Sequence, residues 1–246
     1  MQDIIIEQPW GGLGDNLQYS TLPKLYSKLG HNVYISSKNM YRNPEIYKLV
    51  WELNPYIKGI SDLPTNAGAI TYFNNFHKVV TENSIKNVEL SHNLINGTEE
   101  YPEIYYTPKY IPELENIILF DTTSITLKNV YSNNKLAKSI DDIINNIINN
   151  YPELTAKHIH FTKISNNDIP IKCTDKYIIN SIFDYCDAIF SCKIYISPQS
   201  GNSCLASSIK KKRQFPIIYM ITPERHRDSY IQGEYHDYNN ITRIYI

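Results

Sequence analysis

The 246-residue chain has few cysteines and places none of them in its first 172 positions. The four present, Cys173, Cys186, Cys192 and Cys204, form no CxxC pair and share no ligand spacing with histidine. That argues against a disulfide framework and a zinc module, and for reduced thiols of the kind a cytosolic protein keeps. Neither sign of charge dominates either: 24 basic residues meet 25 acidic ones. No overall field therefore recruits nucleic acid or an anionic membrane. Long apolar runs are missing as well, none approaching the roughly 18 residues of a membrane span. The N-terminal "MQDIIIEQP" lacks the basic region and apolar stretch of a secretory leader. Without such a route the sequon Asn96-Gly97-Thr98 has no use. The expectation is a cytoplasmic globular protein with no nucleic-acid partner.

What is present is an alternation of strand and helix signals. "DIIIEQP" reads as a strand stopped by Pro9. A glycine loop follows, and "NLQYSTLPKLYSKLG" then carries Leu17, Leu22, Leu25, Tyr26 and Leu29 as one helical stripe. "HNVYISS" is a second strand, and "NPEIYKLVWELNP" a second amphipathic helix. "YIKGIS" and "GAITYF" read as short strands. Residues 97 to 116 hold three prolines and no clean period, which reads as a linker or wrapped loop. The pattern then restarts. "NIILFDTTS" is a buried strand, "SIDDIINNIINNYPEL" a helix with isoleucines on one face, and "HIHFTKI" a strand. "YIINSIFDYCDAIFSC" reads as helical, "KIYISPQSG" as strand into turn, "NSCLASSIKKK" as helix and "FPIIYMI" as strand. Strand, helix, strand, helix implies parallel βαβ units. The expected organisation is α/β in two domains, 1–110 and 111–246.

The glycine loop "WGGLGDN" contains Gly11, Gly12 and Gly14 and then Asp15 and Asn16. A dinucleotide fingerprint needs a third glycine where Leu17 stands, and an acid after the second strand where "SSKN" stands. A P-loop needs Gly-Lys-Ser/Thr, which does not follow. A different use suits the loop better. Gly12 and Gly14 permit a sharp strand-to-helix turn. Asp15 then falls at the carboxyl edge of the first strand, where open α/β sheets bind ligands. A carboxylate there is able to accept the proton of an attacking hydroxyl. A plain helix cap is the alternative.

"GGLGDNLQYSTLPKLYSKLGHNVYIS" resembles the N-terminal motif of glycosyltransferase family 9, the lipopolysaccharide heptosyltransferases. The likeness is carried by Leu13-Gly14-Asp15 and then Thr21-Leu22-Pro23. It implies a GT-B fold, two Rossmann-like α/β domains facing each other across a cleft. It further implies an acceptor-side first domain, a nucleotide-sugar donor in the second, no metal, and Asp15 as the base. In the second half the family has hydroxyl residues after a strand and a lysine before the next helix. Thr122, Thr123, Ser124 and Lys128 occupy those places and suit a diphosphate. Where the family has Asp-Thr-Gly and a histidine three residues on, this chain has Gln199, Ser200, Gly201 and Cys204. Asn202 and Ser203 complete a turn that still offers hydroxyls and amides to an anion. The loss of the Asp and His means that ADP-heptose does not carry over.

The resemblance implies hexosyl or heptosyl transfer to a hydroxyl acceptor, a glycan or a lipid-linked glycan. A lipid-linked acceptor would bring the protein to a membrane surface peripherally. The chain is short for the family, so loops or a terminal helix are expected to be missing. "GGLG" is also similar to the Gly-Gly-Leu-Gly-Asn-Gln loop of a fucosyltransferase group, with Asp15 and Asn16 in place of Asn and Gln. A non-catalytic nucleotide-sugar-binding protein, or another nucleotide-sugar enzyme such as an epimerase, stays open at this point. Three further clusters read as structural or solvated: Arg225, His226 and Arg227 in a loop, His158 and His160 on a solvent-leaning strand face, and Glu89 and His92 on a surface helix or loop.

Overall fold

The structure, a computed structural model, describes residues 1–75, 83–94, 101–123, 134–162, 175–211, 217–222 and 238–246. The chain divides into two compact units, Met1–Thr107 with Ser229–Asn239, and Pro108–Asp228 with Asn240–Ile246.

The first unit is a parallel four-stranded sheet in the order β3-β2-β1-β4, with β1 at Asp3–Glu7, β2 at Asn32–Ser36, β3 at Ile57–Ser61 and β4 at Ala67–Gly68. Ile4, Ile5 and Ile6 are all buried, as a strand covered on both faces requires. The expected single helix after the glycine loop is two: α1 at Leu13–Gln18 and α2 at Leu22–Lys28. Pro23 sits in the first turn of α2. It has no N–H to donate and its ring crowds the carbonyl four residues back, at Tyr19, so the helix restarts there. Asn43 caps α3 at Pro44–Tyr47 by accepting from Glu45 N at 2.9 Å. The expected long helix then widens into a π turn over Lys48–Glu52, which buries Leu49, Val50 and Trp51.

"GAITYF" departs from its expected strand. Only Ala67–Gly68 pairs with β1, and Ala69–Asn75 is helix α4. Gly68 has φ +95°, and a Cβ there would lie 2.1 Å from Glu7 O. Only glycine tolerates that approach, and the chain leaves the sheet at once. Helix α5, Ser84–Ser91, carries Glu89 and ends at His92, and both are buried rather than on the surface as expected. Their faces pack inward because α5 lies against α1 and α4.

The second unit is a six-stranded parallel sheet in the order β10-β9-β8-β5-β6-β7. Its strands are β5 Ile117–Phe120, β6 Thr155–Phe161, β7 Lys176–Ile179, β8 Ile194–Pro198, β9 Ile217–Thr222 and β10 Ile241–Tyr245. Helix α6 at Asn134–Asn149 lays Ile140, Ile144 and Ile147 on Ile118, Phe120, Ile194, Ile196 and Ile221. Each such isoleucine contributes roughly 1.5–3 kcal/mol of burial. The region read as one helix from Tyr177 onward begins instead as β7. Ser181 accepts from Asp184 N at 3.0 Å and starts α7 at Ile182–Ser191. Helix α8 follows at Gly201–Lys210. Strand β10 was not anticipated. No described helix is long and apolar enough to cross a membrane, and Cys186, Cys192 and Cys204 are buried and form no disulfide.

Candidate active site

In the first unit the order β3-β2-β1-β4 puts a reversal of strand order beside β1, and such a crevice is where open parallel sheets bind ligands. The loop leaving β1 is built from inside. Gln8, fully buried, holds the Trp10 backbone with both ends of its amide, accepting from Trp10 N–H and donating to Trp10 O. Gln8 N–H donates to Asn39 Oδ1 at 2.8 Å, tying the loop to the segment after β2. Asn16 is fully buried and donates to Gly12 O at 2.8 Å, while its Oδ1 accepts the indole N–H of Trp51 at 2.7 Å. Asn16 is thus the latch of the loop, and Trp51, unremarked in the sequence, is its anchor.

Asp15 is the third residue of α1, and Gly12 is the N-cap. Gly12 has ordinary extended dihedrals, φ −75° and ψ 154°. Its backbone N–H bonds back to the Asp15 carboxylate, half of a capping box. Asp15 is therefore not the N-cap weighed from the sequence but a first-turn residue bonded back to the cap, and its carboxylate lies part-buried. Burial pushes its pKa above the ordinary 3.8, against the opposing pull of Arg42 and the Gly12 amide. Arg42 belongs to the same corner: its N–H donates to Gly11 O at 2.9 Å. A Cβ on Gly12 would lie 2.4 Å from Asp15 Oδ2 and 3.7 Å from Arg42 Nη1. A Cβ on Gly11 would lie 2.9 Å from Arg42 N. Gly12 thus leaves room for the Asp15 carboxylate, and Gly11 for the close approach of the Arg42 backbone. Gly14 is the second residue of α1.

His92 closes the far side of this unit. Gly68 N–H donates to His92 Nε2 at 2.9 Å, so Nδ1 carries the proton and donates to Val88 O at 2.7 Å. Burial lowers its pKa to about 4. It is a neutral buttress for β4, not a ligand.

In the second unit Thr122 and Thr123 leave β5, Gln199 and Ser200 join β8 to α8, and Gly201, Asn202 and Ser203 form the first turn of α8. The structure brings these two segments together through a residue the sequence did not single out. Asp121, 1% exposed, accepts from Thr123 N–H at 2.7 Å, from Asn202 Nδ2 at 2.7 Å and from the Tyr185 hydroxyl. Asn202 also donates to Thr123 O at 3.1 Å. Tyr185 in turn bonds the Tyr195 hydroxyl, and burial, with the Asp121 carboxylate adding to it, raises the pKa of both phenols.

Ser200 and Ser203 form a capping box: Ser200 Oγ accepts from Asn202 N at 3.3 Å and Ser203 Oγ from Ser200 N at 3.2 Å. Their hydroxyls serve the start of the helix. Gln199 is buried, donates its N–H to Ile221 O at 2.9 Å, and leaves Oε1 without a hydrogen-bond partner among the described residues. Thr122 Oγ1 pairs with His158 Nε2 at 3.0 Å. His158 is buried and stacked 5.0 Å from Phe120, not on the solvent-leaning face expected of it, because β6 lies between β5 and β7 and is covered. Cys204 is buried within α8. Ser124, Lys128 and the Arg225, His226, Arg227 cluster lie outside the described residues.

No protein-family model and no curated protein matches the chain. Solved structures do. The iron-containing dodecameric glycosyltransferase TibC from enterotoxigenic E. coli H10407 superposes with a TM-score of 0.57 at 16% identity, over 89% of this chain and 57% of that one. A glycosyltransferase of family 9 from Veillonella parvula DSM 2008 gives 0.55 at 8% identity, over 99% of this chain and 86% of that one. The fold is that of the family 9 glycosyltransferases. E. coli ADP-heptose lipopolysaccharide heptosyltransferase II gives 0.50 at 9% identity, over 99% of this chain and 90% of that one. The resemblance read from "LGD" and "TLP" therefore holds at the level of fold. The chain spans little more than half the length of TibC, which was also solved with ADP-D-beta-D-heptose. TibC carries iron, but among the described residues no three His, Cys, Asp or Glu side chains converge to hold a metal.

Proposed function

We propose that the protein is a glycosyltransferase moving a sugar from a nucleotide-sugar donor to a hydroxyl acceptor, with Asp15 as the general base. The observation that carries this reading is the Asp15 corner. A part-buried carboxylate with a raised pKa stands at the carboxyl edge of β1, beside the reversal of strand order. Its elevated basicity suits proton abstraction.

In this reading Asp15 takes the acceptor hydroxyl proton as that oxygen bonds the anomeric carbon. The bond from the anomeric carbon to the phosphate oxygen breaks, and its electron pair leaves with the nucleoside diphosphate. One base and no covalent nucleophile give inversion. The first unit serves the acceptor and the second the donor. Thr122, Thr123, Ser124, Lys128 and the turn from Gln199 to Ser203 hold the diphosphate. The leaving charge is then met by hydroxyls, amides and Lys128, without a metal.

A donor screen tests the reading. The protein is incubated with a panel of nucleoside-diphosphate sugars and the released diphosphate is followed by mass spectrometry, with melting temperature recorded for nucleoside diphosphates and NAD(P). Turnover of one donor, with stabilisation by its diphosphate, is expected. Stabilisation by NAD(P) alone overturns it.

A further inference from the structure

Asp121 draws the hydrogen-bond donors of the second unit's site inward. Its Oδ1 accepts from the Thr123 N–H at 2.7 Å and from the Thr123 hydroxyl, and its Oδ2 from Asn202 Nδ2 at 2.7 Å and from the Tyr185 hydroxyl. Together these bonds fill the roughly four lone-pair sites of an ionised carboxylate. Asn202 Nδ2 also donates to Thr123 O at 3.1 Å, and a carbonyl oxygen can only accept. The Asn202 amide is therefore held in one of its two orientations, with nitrogen inward. Its Oδ1 has no hydrogen-bond partner among the described residues, and the residue is part-exposed.

The serines of the same turn use their hydrogens in the same way. Ser200 Oγ donates to Pro198 O at 3.2 Å, and Ser203 Oγ to Ser200 O at 2.7 Å. What the part-exposed members Thr123, Ser200 and Asn202 offer a ligand is lone pairs. A phosphate oxygen is itself an acceptor and gains nothing from them, whereas a hydroxyl gains a bond. The turn's part in holding a diphosphate then falls to its backbone, where the Gly201 N–H carries no bond among the described residues. Beside these groups Gln199, 6% exposed, leaves Oε1 unbonded among the described residues. A buried polar atom in that condition marks a place for a further partner.

We infer that Asn202 sets specificity in this site: its Oδ1 accepts from a hydroxyl of the donor, on the ribose or on the transferred sugar, and turns a phosphate away. The word donor rests on the transferase reading, whereas the acceptor character of the turn rests on its own hydrogen bonds.

Titration calorimetry on the full chain tests it. The probes are ADP, GDP, UDP and CDP, each beside its 2′-deoxy and 3′-deoxy analogues and beside the nucleotide sugars of the donor screen. The readout is a ratio of affinities, which a purely structural effect of a substitution leaves constant. In the wild type, loss of the recognised hydroxyl should weaken binding about tenfold. Loss with a deoxy nucleotide assigns the contact to the ribose, and loss with the bare diphosphate assigns it to the sugar. Asn202→Ala should bring that ratio to about one. Asp121→Asn supplies an inward donor, frees the Asn202 amide to turn over, and should lower the ratio as well. Wild-type ratios near one throughout, or a tenfold ratio that survives Asn202→Ala, overturn the inference. No nucleotide binding at all overturns it together with the transferase reading. Asn202-dependent binding with no donor turned over counts against the transferase reading alone.

Discussion

Asn202 donates its side-chain amide to Asp121 Oδ2 at 2.7 Å across 81 positions of sequence. That bond fastens the first turn of α8 to the loop leaving β5, the two segments assigned to the donor. The carboxylate at its centre also holds Thr123 and Tyr185. Its geometry makes the second unit's candidate site a single networked object rather than two adjacent loops.

Removing the centre should therefore cost more than removing a spoke. Asp121→Ala leaves a buried phenol, an amide and a backbone N–H without their acceptor, and should cost about 2–4 kcal/mol. Asn202→Ala removes one donor and should cost about 1 kcal/mol. Urea denaturation gives the two stabilities. Both variants are expected to weaken nucleoside-diphosphate binding, read by titration calorimetry.

Gly12→Ala separates the place of Asp15 in the fold from its place in the chemistry. The Gly12 dihedrals suit alanine, so no backbone strain arises. Its Cβ would fall 2.4 Å from Asp15 Oδ2, and the carboxylate must swing away. Melting temperature should hardly change, while kcat falls about 100-fold, the scale on which misplaced catalytic groups lose rate.

Arg42→Ala tests the electrostatics of the same corner. The guanidinium lowers the Asp15 pKa, and burial raises it. Without the cation the carboxyl moves further up. The acidic limb of the kcat/KM profile should shift to higher pH in the variant, measured over pH 4 to 8.

His92 gives a pH dependence of stability with a definite sign. Its pKa falls from 6.5 in the open chain to about 4 when folded. The unfolded state therefore binds the extra proton between those values. Stability attributable to His92 is complete above pH 6.5 and is lost as pH falls toward 4, by about 3 kcal/mol in all. Urea midpoints taken across that range should fall more steeply for the wild type than for His92→Gln.

The architecture was legible where local pattern decides it. Ile4 to Ile6 and Ile117 to Phe120 are apolar runs that only a covered parallel strand explains, and the isoleucine stripe of α6 faces the sheet as its spacing requires. Pro23 was also visible, though its consequence, the break at Tyr19, needed the steric argument to be carried through. The misses share one cause: long-range partners. Asp121 passes as one residue of the strand read over "NIILFDTTS" until Tyr185 and Asn202 arrive from 64 and 81 positions away. His92 and Glu89 sit in a polar-looking stretch, and only packing against α1 and α4, with the Gly68 amide aimed at the imidazole, takes them inside. Gly68 itself reads as part of a strand, and its collision course with Glu7 O appears only when β1 and β4 are paired. For Asp15 the loop and its edge position were readable, but the raised pKa was not, since it comes from burial against Arg42's pull.

Asp15→Asn tests the central claim most directly. Asparagine keeps the side chain's size and can still accept the Gly12 N–H, so the loop should remain folded. Donor turnover onto acceptor should fall about 100- to 10,000-fold, with melting temperature and nucleoside-diphosphate affinity near those of the wild type. Turnover at the wild-type rate would contradict Asp15 as the base.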